Sequence, residues 1–244
     1  LMADLIGPAI HDIPYYGLLE GKIAGRDVVV SQSGFSGEKG YEIYLRDATL
    51  HAEDLWNEVL EVGKKHSLMV IAPAHHRRIA AGILSWGQDL DFETLPFQCN
   101  LGYQIPRNKK SNYVGKEALE TARRQMEEGQ PPFKTILVGM VFGGKPVDDY
   151  APDFWLISGP EGGDAVGYVT SPWYSPELDT NIAMGYVPWG MHAIGTRLKI
   201  NLPDEYAETP GLPVMAEVVE IPFRPSVNPS AREVAKADGR GAAF

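Results

Sequence analysis

The stretch Gly34-Phe35-Ser36-Gly37-Glu38-Lys39-Gly40-Tyr41-Glu42-Ile43 decides how the chain is read. Three glycines, at 34, 37 and 40, let the backbone approach a ligand closely. Residues 41–45 then alternate in strand fashion. That places Tyr41, Ile43 and Leu45 on one face and Glu42 and Tyr44 on the other. A carboxylate at this position can accept two parallel hydrogen bonds from a planar amidine-like edge. By spacing alone, a glycine-rich hairpin carrying an exposed glutamate is the commoner reading, and the ligand reading is weak.

Working outward, Val28-Val29-Val30-Ser31 is a β-branched run that reads as a strand. Ala52, Leu55, Trp56, Val59 and Leu60 recur at helical spacing, which predicts a helix over 49–62 with Gly63 as its stop. Residues 68–71 read as a further strand. Pro73 suits the first turn of a helix running through His75, Arg78 and Ile79 toward Leu84. Another helix is predicted over 116–128, ended by Gly129 and Pro131-Pro132. Beyond those prolines the texture changes. Segments 135–142, 154–158, 165–170, 183–187, 197–201 and 215–221 all read as strands, separated by turn residues. Such a run predicts a small β-barrel or sandwich. The expected class is therefore α+β: a mixed region over 1–130, an all-β domain over 131–225 and a flexible tail over 226–244.

The net charge of −10 argues against non-specific nucleic-acid binding, which needs a basic footprint. The single cysteine, Cys99, cannot form an internal disulfide and reads as a small buried apolar residue. No apolar run reaches the roughly 20 residues of a membrane span, and no signal peptide is visible. A cytoplasmic protein without membrane or nucleic-acid partners is expected. The six histidines lack metal-ligand spacing, so no metal is expected. Leu1-Met2 leads directly into the apolar Leu5-Ile6-Gly7-Pro8, which reads as an entry into the middle of a fold.

The 34–43 stretch resembles the glycine-rich motif of glycine cleavage T-proteins and their relatives. Two more stretches resemble that family in the right order. One is Arg78-Ile79-Ala80-Ala81-Gly82-Ile83 with Gly87-Gln88-Asp89-Leu90-Asp91, continued by Thr94-Leu95-Pro96 and Leu101-Gly102-Tyr103. The other is Val169-Thr170-Ser171, Ser175-Pro176 and 181–188. The resemblance implies the C-terminal part of the folate-binding aminomethyltransferase fold, followed by a small β-barrel. It implies tetrahydrofolate as cofactor, with Glu42 and Gly40 at the pterin and Tyr103 where the family often has Trp. The family's Arg-Asp pair is Ala74-His75 here. Its catalytic Asp would lie upstream of Leu1, so a missing N-terminal part of the same enzyme is an implied partner.

Finer details, Ile13-Pro14-Tyr15-Tyr16-Gly17, 82–89 and 222–229, look like the tetrahydrofolate-dependent aryl O-demethylases of lignin catabolism. Those enzymes move a methyl group from vanillate, syringate or another methoxybenzoate to folate. In that reading Tyr15 and Tyr16 are catalytic candidates, as proton donor and pocket wall, the alternative being plain packing at a strand entry, and Trp86 lines the substrate pocket or, equally, sits in the core. The His75-His76-Arg77-Arg78 cluster puts His75 and Arg78 on one helix face. There His75 would meet the aromatic acid and Arg78 a folate carboxylate. The same family also implies alternatives: a glycine cleavage aminomethyltransferase, a sulfonium demethylase, or a non-catalytic folate-binding accessory module.

Overall fold

The computed structural model describes residues 1–107 and 109–224. The tail expected over 226–244 lies outside the described residues. The chain divides into two compact units, Leu1–Ala74 and His75–Phe244.

In the first unit a short helix α1 (Met2–Ile6) leads to strands β1 (Leu18–Ile23), β2 (Arg26–Ser31) and β3 (Glu42–Leu45), then helix α2 (Ala48–Gly63). The strands form an antiparallel sheet in the order β1-β2-β3. Period-2 alternation turns Ile23, Val28 and Val30 inward, where they pack with Ile10, Leu55, Ile43 and Leu45. The opposite face carries Leu18, Glu42 and Tyr44, all exposed. The alternation expected over 41–45 is therefore observed.

Helix α2 does not end cleanly at Gly63. A 3-10 turn continues to His66, and Ser67, at φ 53°, closes it. Ser67 N–H bonds to Lys64 O and Leu68 N–H to Gly63 O, the paired bonds of a Schellman stop. The strand expected over 68–71 is absent. Met69, Val70 and Ile71 are exposed and pair with no strand among the described residues, so their β-branched character has no ladder to join.

In the second unit α3 (His75–Ala80) is shorter than the predicted run to Leu84. Gly82 stops it at φ +68°, with Gly82 N–H on Ile79 O and Ile83 N–H on Arg78 O. A Cβ on Gly82 would also lie 2.4 Å from Ile221 Cγ2. Helix α4 (Lys116–Glu127) follows. Six strands then close an antiparallel barrel: β4 (Thr135–Phe142), β5 (Trp155–Ser158), β6 (Ala165–Ser175), β7 (Thr180–Pro188), β8 (Arg197–Ile200) and β9 (Val214–Val219). Their order is β4-β7-β6-β5-β8-β9, with β9 returning to β4. Of the two all-β forms left open by the sequence, the barrel is the one that forms.

Met140, Ile157, Leu198 and Ile200 fill the barrel. A second cluster lies on its outer side, where Ile79 and Ala80 of α3 and Cys99 meet Leu137, Ile182, Met184 and Tyr186. This packing ties residues 75–101 to the strands. The compact division consequently falls at residue 74, well before the prolines at 131 and 132.

Candidate functional site

The glycine-rich loop runs from the end of β2 to the start of β3. Leu18, Ser31 and Glu42 form one row across the three strands. Residues directly opposite share a face, so Glu42 stands on the open face at the sheet's end. Its Oε2 accepts from the Ser33 hydroxyl in a short contact and from the Tyr44 phenol at 3.2 Å. Oε1 accepts no hydrogen bond among the described residues. The Ser33 and Ser31 hydroxyls are 3.0 Å apart. The hydrogen bond that the Tyr44 phenol donates to Glu42, and then the carboxylate's charge, hold that phenol above its ordinary pKa.

The loop is tight at Gly40. A Cβ there would sit 3.3 Å from Ser33 O, inside the loop that presents the carboxylate. Tyr15 and Tyr16 reach the same end of the sheet. Tyr16 N–H bonds to Gln32 O and Gln32 N–H to Gly17 O, which extends the β1–β2 pairing by one step. Tyr16 takes φ 62°, uncommon for a bulky residue, and its ring meets that of Tyr15 at 4.2 Å. Tyr16 is exposed. Four of the expected site residues, Tyr15, Tyr16, Gly40 and Glu42, thus lie toward the same end of one small sheet.

The others lie in the second unit. Arg78 is corrected by the structure. It was expected on a helix face beside His75, ready for a ligand carboxylate, but it points inward and is 1 % exposed. Its Nη1 donates to Asp89 Oδ2 at 2.7 Å and to Ile83 O, and its Nη2 donates to Gln88 Oε1 and Ser171 Oγ. The three-residue offset does keep Arg78 near His75, but α3 lies against β6, and the guanidinium is turned into that contact. Asp89 in turn accepts from Ser85 N–H and from the Thr170 and Ser171 hydroxyls. This network closes the loop over 85–90, from which Trp86 projects 59 % exposed, edge-on to Phe92 at 4.7 Å.

His75 packs against Tyr150 and Trp173, with ring centroids 4.9 and 5.2 Å away. Burial, and then the Arg78 charge, hold its pKa below the ordinary histidine value. The recess lined by His75, Arg78, Tyr150 and Trp173 has a volume of ≈ 10 Å³. That is room for one water. Tyr103 sits in a 3-10 turn (Gly102–Gln104) that is allowed by Gly102, where a Cβ would fall 2.7 Å from the Phe97 ring. Its hydroxyl accepts from Gln104 Nε2 at 3.2 Å.

Several partners carried no expected role: Ser33, Tyr44, Asp89, Ser171 and Trp173. Tyr44 was signalled only by sharing a strand face with Glu42. Asp89 and Ser171 lie in separate motif stretches, and nothing local to either predicts that they meet.

The sheet-borne carboxylate and the closed barrel define a two-domain class, and comparison with known proteins agrees. Residues 2–109 match the GCVT N-terminal domain, and residues 137–223 match the glycine cleavage T-protein C-terminal barrel domain. The chain belongs to the glycine cleavage T-protein superfamily.

Dimethylsulfoniopropionate demethylase DmdA of Ruegeria pomeroyi is 33 % identical over 206 residues, covering 84 % of this chain and 52 % of that protein. An aminomethyltransferase of Streptomyces avermitilis is 30 % identical over 198 residues, covering 80 % and 50 %. The chain spans about half the length of the curated relatives it matches. The crystal structure of glycine cleavage system aminomethyltransferase T from Bartonella henselae superposes with a TM-score of 0.70 at 24 % identity. It covers 88 % of this chain and 54 % of that one, and it shares the fold. No helix among the described residues is long and apolar enough to cross a membrane.

Proposed function

We propose that this chain binds tetrahydrofolate through Glu42 and serves tetrahydrofolate-dependent one-carbon transfer. The observation that carries the reading is the Glu42 carboxylate. It stands on an open strand face beside a loop kept slim by Gly40, with Oε1 still able to accept. A pterin presents an amino group and a ring N–H side by side, and a carboxylate can take both. Tetrahydrofolate, when bound, supplies N5 as the acceptor of the one-carbon unit. The chain's part is to hold that acceptor in line with the donor, because orientation supplies much of the rate.

For the donor we favour a small sulfonium or aminomethyl compound, since the relatives above are named for those chemistries. A methoxylated aromatic acid of the vanillate or syringate type is the second reading. It rests on the resemblance of segments 13–17, 82–89 and 222–229, the last of which extends past the described residues. The two differ in their demand for a proton. A sulfonium donor departs as a neutral thioether and needs none. An aryl ether departs as a phenolate and needs a hydrogen-bond donor, the role open to Tyr15 or Tyr16.

The test is an anaerobic calorimetric titration with tetrahydrofolate, on the wild-type chain and on Glu42→Ala. We expect saturable binding that the substitution weakens tenfold or more, about 1.4 kcal/mol. Equal affinity in both proteins would remove Glu42 from the site. Methyl-transfer assays with dimethylsulfoniopropionate, vanillate and syringate then separate the donors.

A further inference from the structure

Glu42 does not stand alone at the sheet's end. Ser31 is its direct cross-strand partner on β2, and Ser33 follows two residues later, just before the glycine-rich loop turns. The Ser33 hydroxyl lies against both Ser31 Oγ, at 3.0 Å, and Glu42 Oε2. A hydroxyl has one proton to give. The consistent arrangement is a relay in which Ser31 donates to Ser33 and Ser33 donates to the carboxylate. Tyr44, on the same strand face as Glu42, adds a second hydroxyl to the same oxygen at 3.2 Å.

A carboxylate offers about four lone-pair sites, two on each oxygen. Ser33 and Tyr44 together fill those of Oε2, while Oε1 accepts no hydrogen bond among the described residues. A planar edge with two parallel donors needs one lone pair from each oxygen. One of the two hydroxyls must therefore give way. Tyr44 makes the longer contact and is 56 % exposed. Ser33 is half-buried and backed by Ser31.

We infer that Ser33, supported by Ser31, is the positioning residue that orients Glu42 for its ligand, and that Tyr44 is a placeholder displaced when the ligand arrives. This rests on the reading of Glu42 as the pterin contact. It goes further by dividing the two hydroxyls into one that stays and one that leaves. Without Ser33 the glutamate side chain regains rotamer freedom that binding must remove again. Without the Tyr44 hydroxyl, binding no longer has to break a hydrogen bond.

The experiment is calorimetric titration of the chain and its variants with tetrahydrofolate and with a tetrahydrofolate analogue whose 2-amino group is replaced by methyl. Ser33→Ala should weaken tetrahydrofolate binding five- to tenfold and weaken the analogue less than twofold, since the analogue lacks one of the two donors. Ser33→Thr, which keeps the hydroxyl, should restore most of the affinity. Tyr44→Phe should tighten tetrahydrofolate binding two- to threefold. Equal losses for both ligands in Ser33→Ala would show a merely structural role and overturn the inference, as would weaker binding by Tyr44→Phe. If Glu42→Ala weakens binding while the Ser33 and Tyr44 variants match wild type, the inference fails and the Glu42 reading stands. If wild type does not bind tetrahydrofolate, or Glu42→Ala binds as well as wild type, both fail together.

Discussion

Arg78 and Asp89 form an ion pair at 2.7 Å with both side chains withdrawn from solvent, 2 % and 0 % exposed. Ser171 bonds to both partners and Thr170 to Asp89, so the pair is satisfied on most sides and joins α3, the loop over 85–90 and β6. Removing one member leaves the other charged and buried. Asp89→Ala should cost about 3–5 kcal/mol, read as a lower midpoint in urea denaturation. Replacing both residues, as Arg78→Met with Asp89→Leu, should cost less than the sum of the single changes, and the double-mutant cycle measures that difference.

His75 and His76 give the chain a pH dependence. Burial comes first and neighbouring arginines second in holding both below the ordinary value of 6.5. Between that value and their lowered folded pKa, the unfolded chain binds protons that the folded chain refuses. Their contribution is thus complete above about pH 6.5 and is lost as pH falls through the lowered pKa values. Thermal melts from pH 7.5 down to pH 5 should show Tm falling in wild type. The His75→Gln, His76→Gln double variant should fall less over the same interval. Asp4, Asp27 and Asp91 are held below the ordinary carboxylate value, chiefly by their side-chain hydrogen bonds, and do not enter this window.

The barrel has a position where even one methyl group is too many. A Cβ on Gly167 in β6 would lie 2.1 Å from Tyr186 O across the β6–β7 ladder. The obstacle is backbone, which cannot rotate away. Gly167→Ala should destabilise the chain by about 1–3 kcal/mol or more, visible in the same denaturation assay. Alanine at Gly159, where nothing lies within 4 Å, serves as the neutral control.

Cys99 is buried, and burial pushes its thiol up to about 11. Thiolate is the reactive form, so the native chain should react with a disulfide reagent at pH 8 only as fast as it opens. Denaturant should bring the rate up to that of an ordinary exposed thiol. Fast labelling of the folded chain would contradict the packing of Cys99 against Leu137 and Tyr186.

If the donor is an aryl ether, Tyr15→Phe or Tyr16→Phe should lower kcat by about 10²-fold or more, the usual size of general acid catalysis. With a sulfonium donor the same substitutions should leave kcat within a few-fold. Comparing the two donors in one variant reads out the proton requirement directly.

Much of this was legible beforehand because it is local. The strand face carrying Glu42 and Tyr44, the helix α2 and the six barrel strands all follow from periodicity and turn residues within short windows. What escaped was non-local. Residues 68–71 have strand composition without a strand beside them. Strand β1 contains Gly21 and alternates Glu20 and Lys22 with apolar residues, a weak strand signal. Arg78 read as a surface cation because its three hydrogen-bonding side-chain partners lie 10, 11 and 93 residues away. The sheet-end cluster was half visible: the motif pointed to Glu42 and Gly40, but the hydroxyls that orient the carboxylate appear only once the strands pair.

The outer cluster has a practical consequence for anyone cutting the chain. Leu137, Ile182, Met184 and Tyr186 face away from the barrel's interior and are sealed by Ile79, Ala80 and Cys99. Backbone bonds stitch the seal, Leu137 N–H to Gln98 O and Phe223 N–H to Ala80 O. A fragment begun at the paired prolines would keep every barrel strand yet present a bare greasy flank to water, and should aggregate when expressed. A fragment begun at His75 carries its own cover, so the shortest soluble piece containing the barrel starts there.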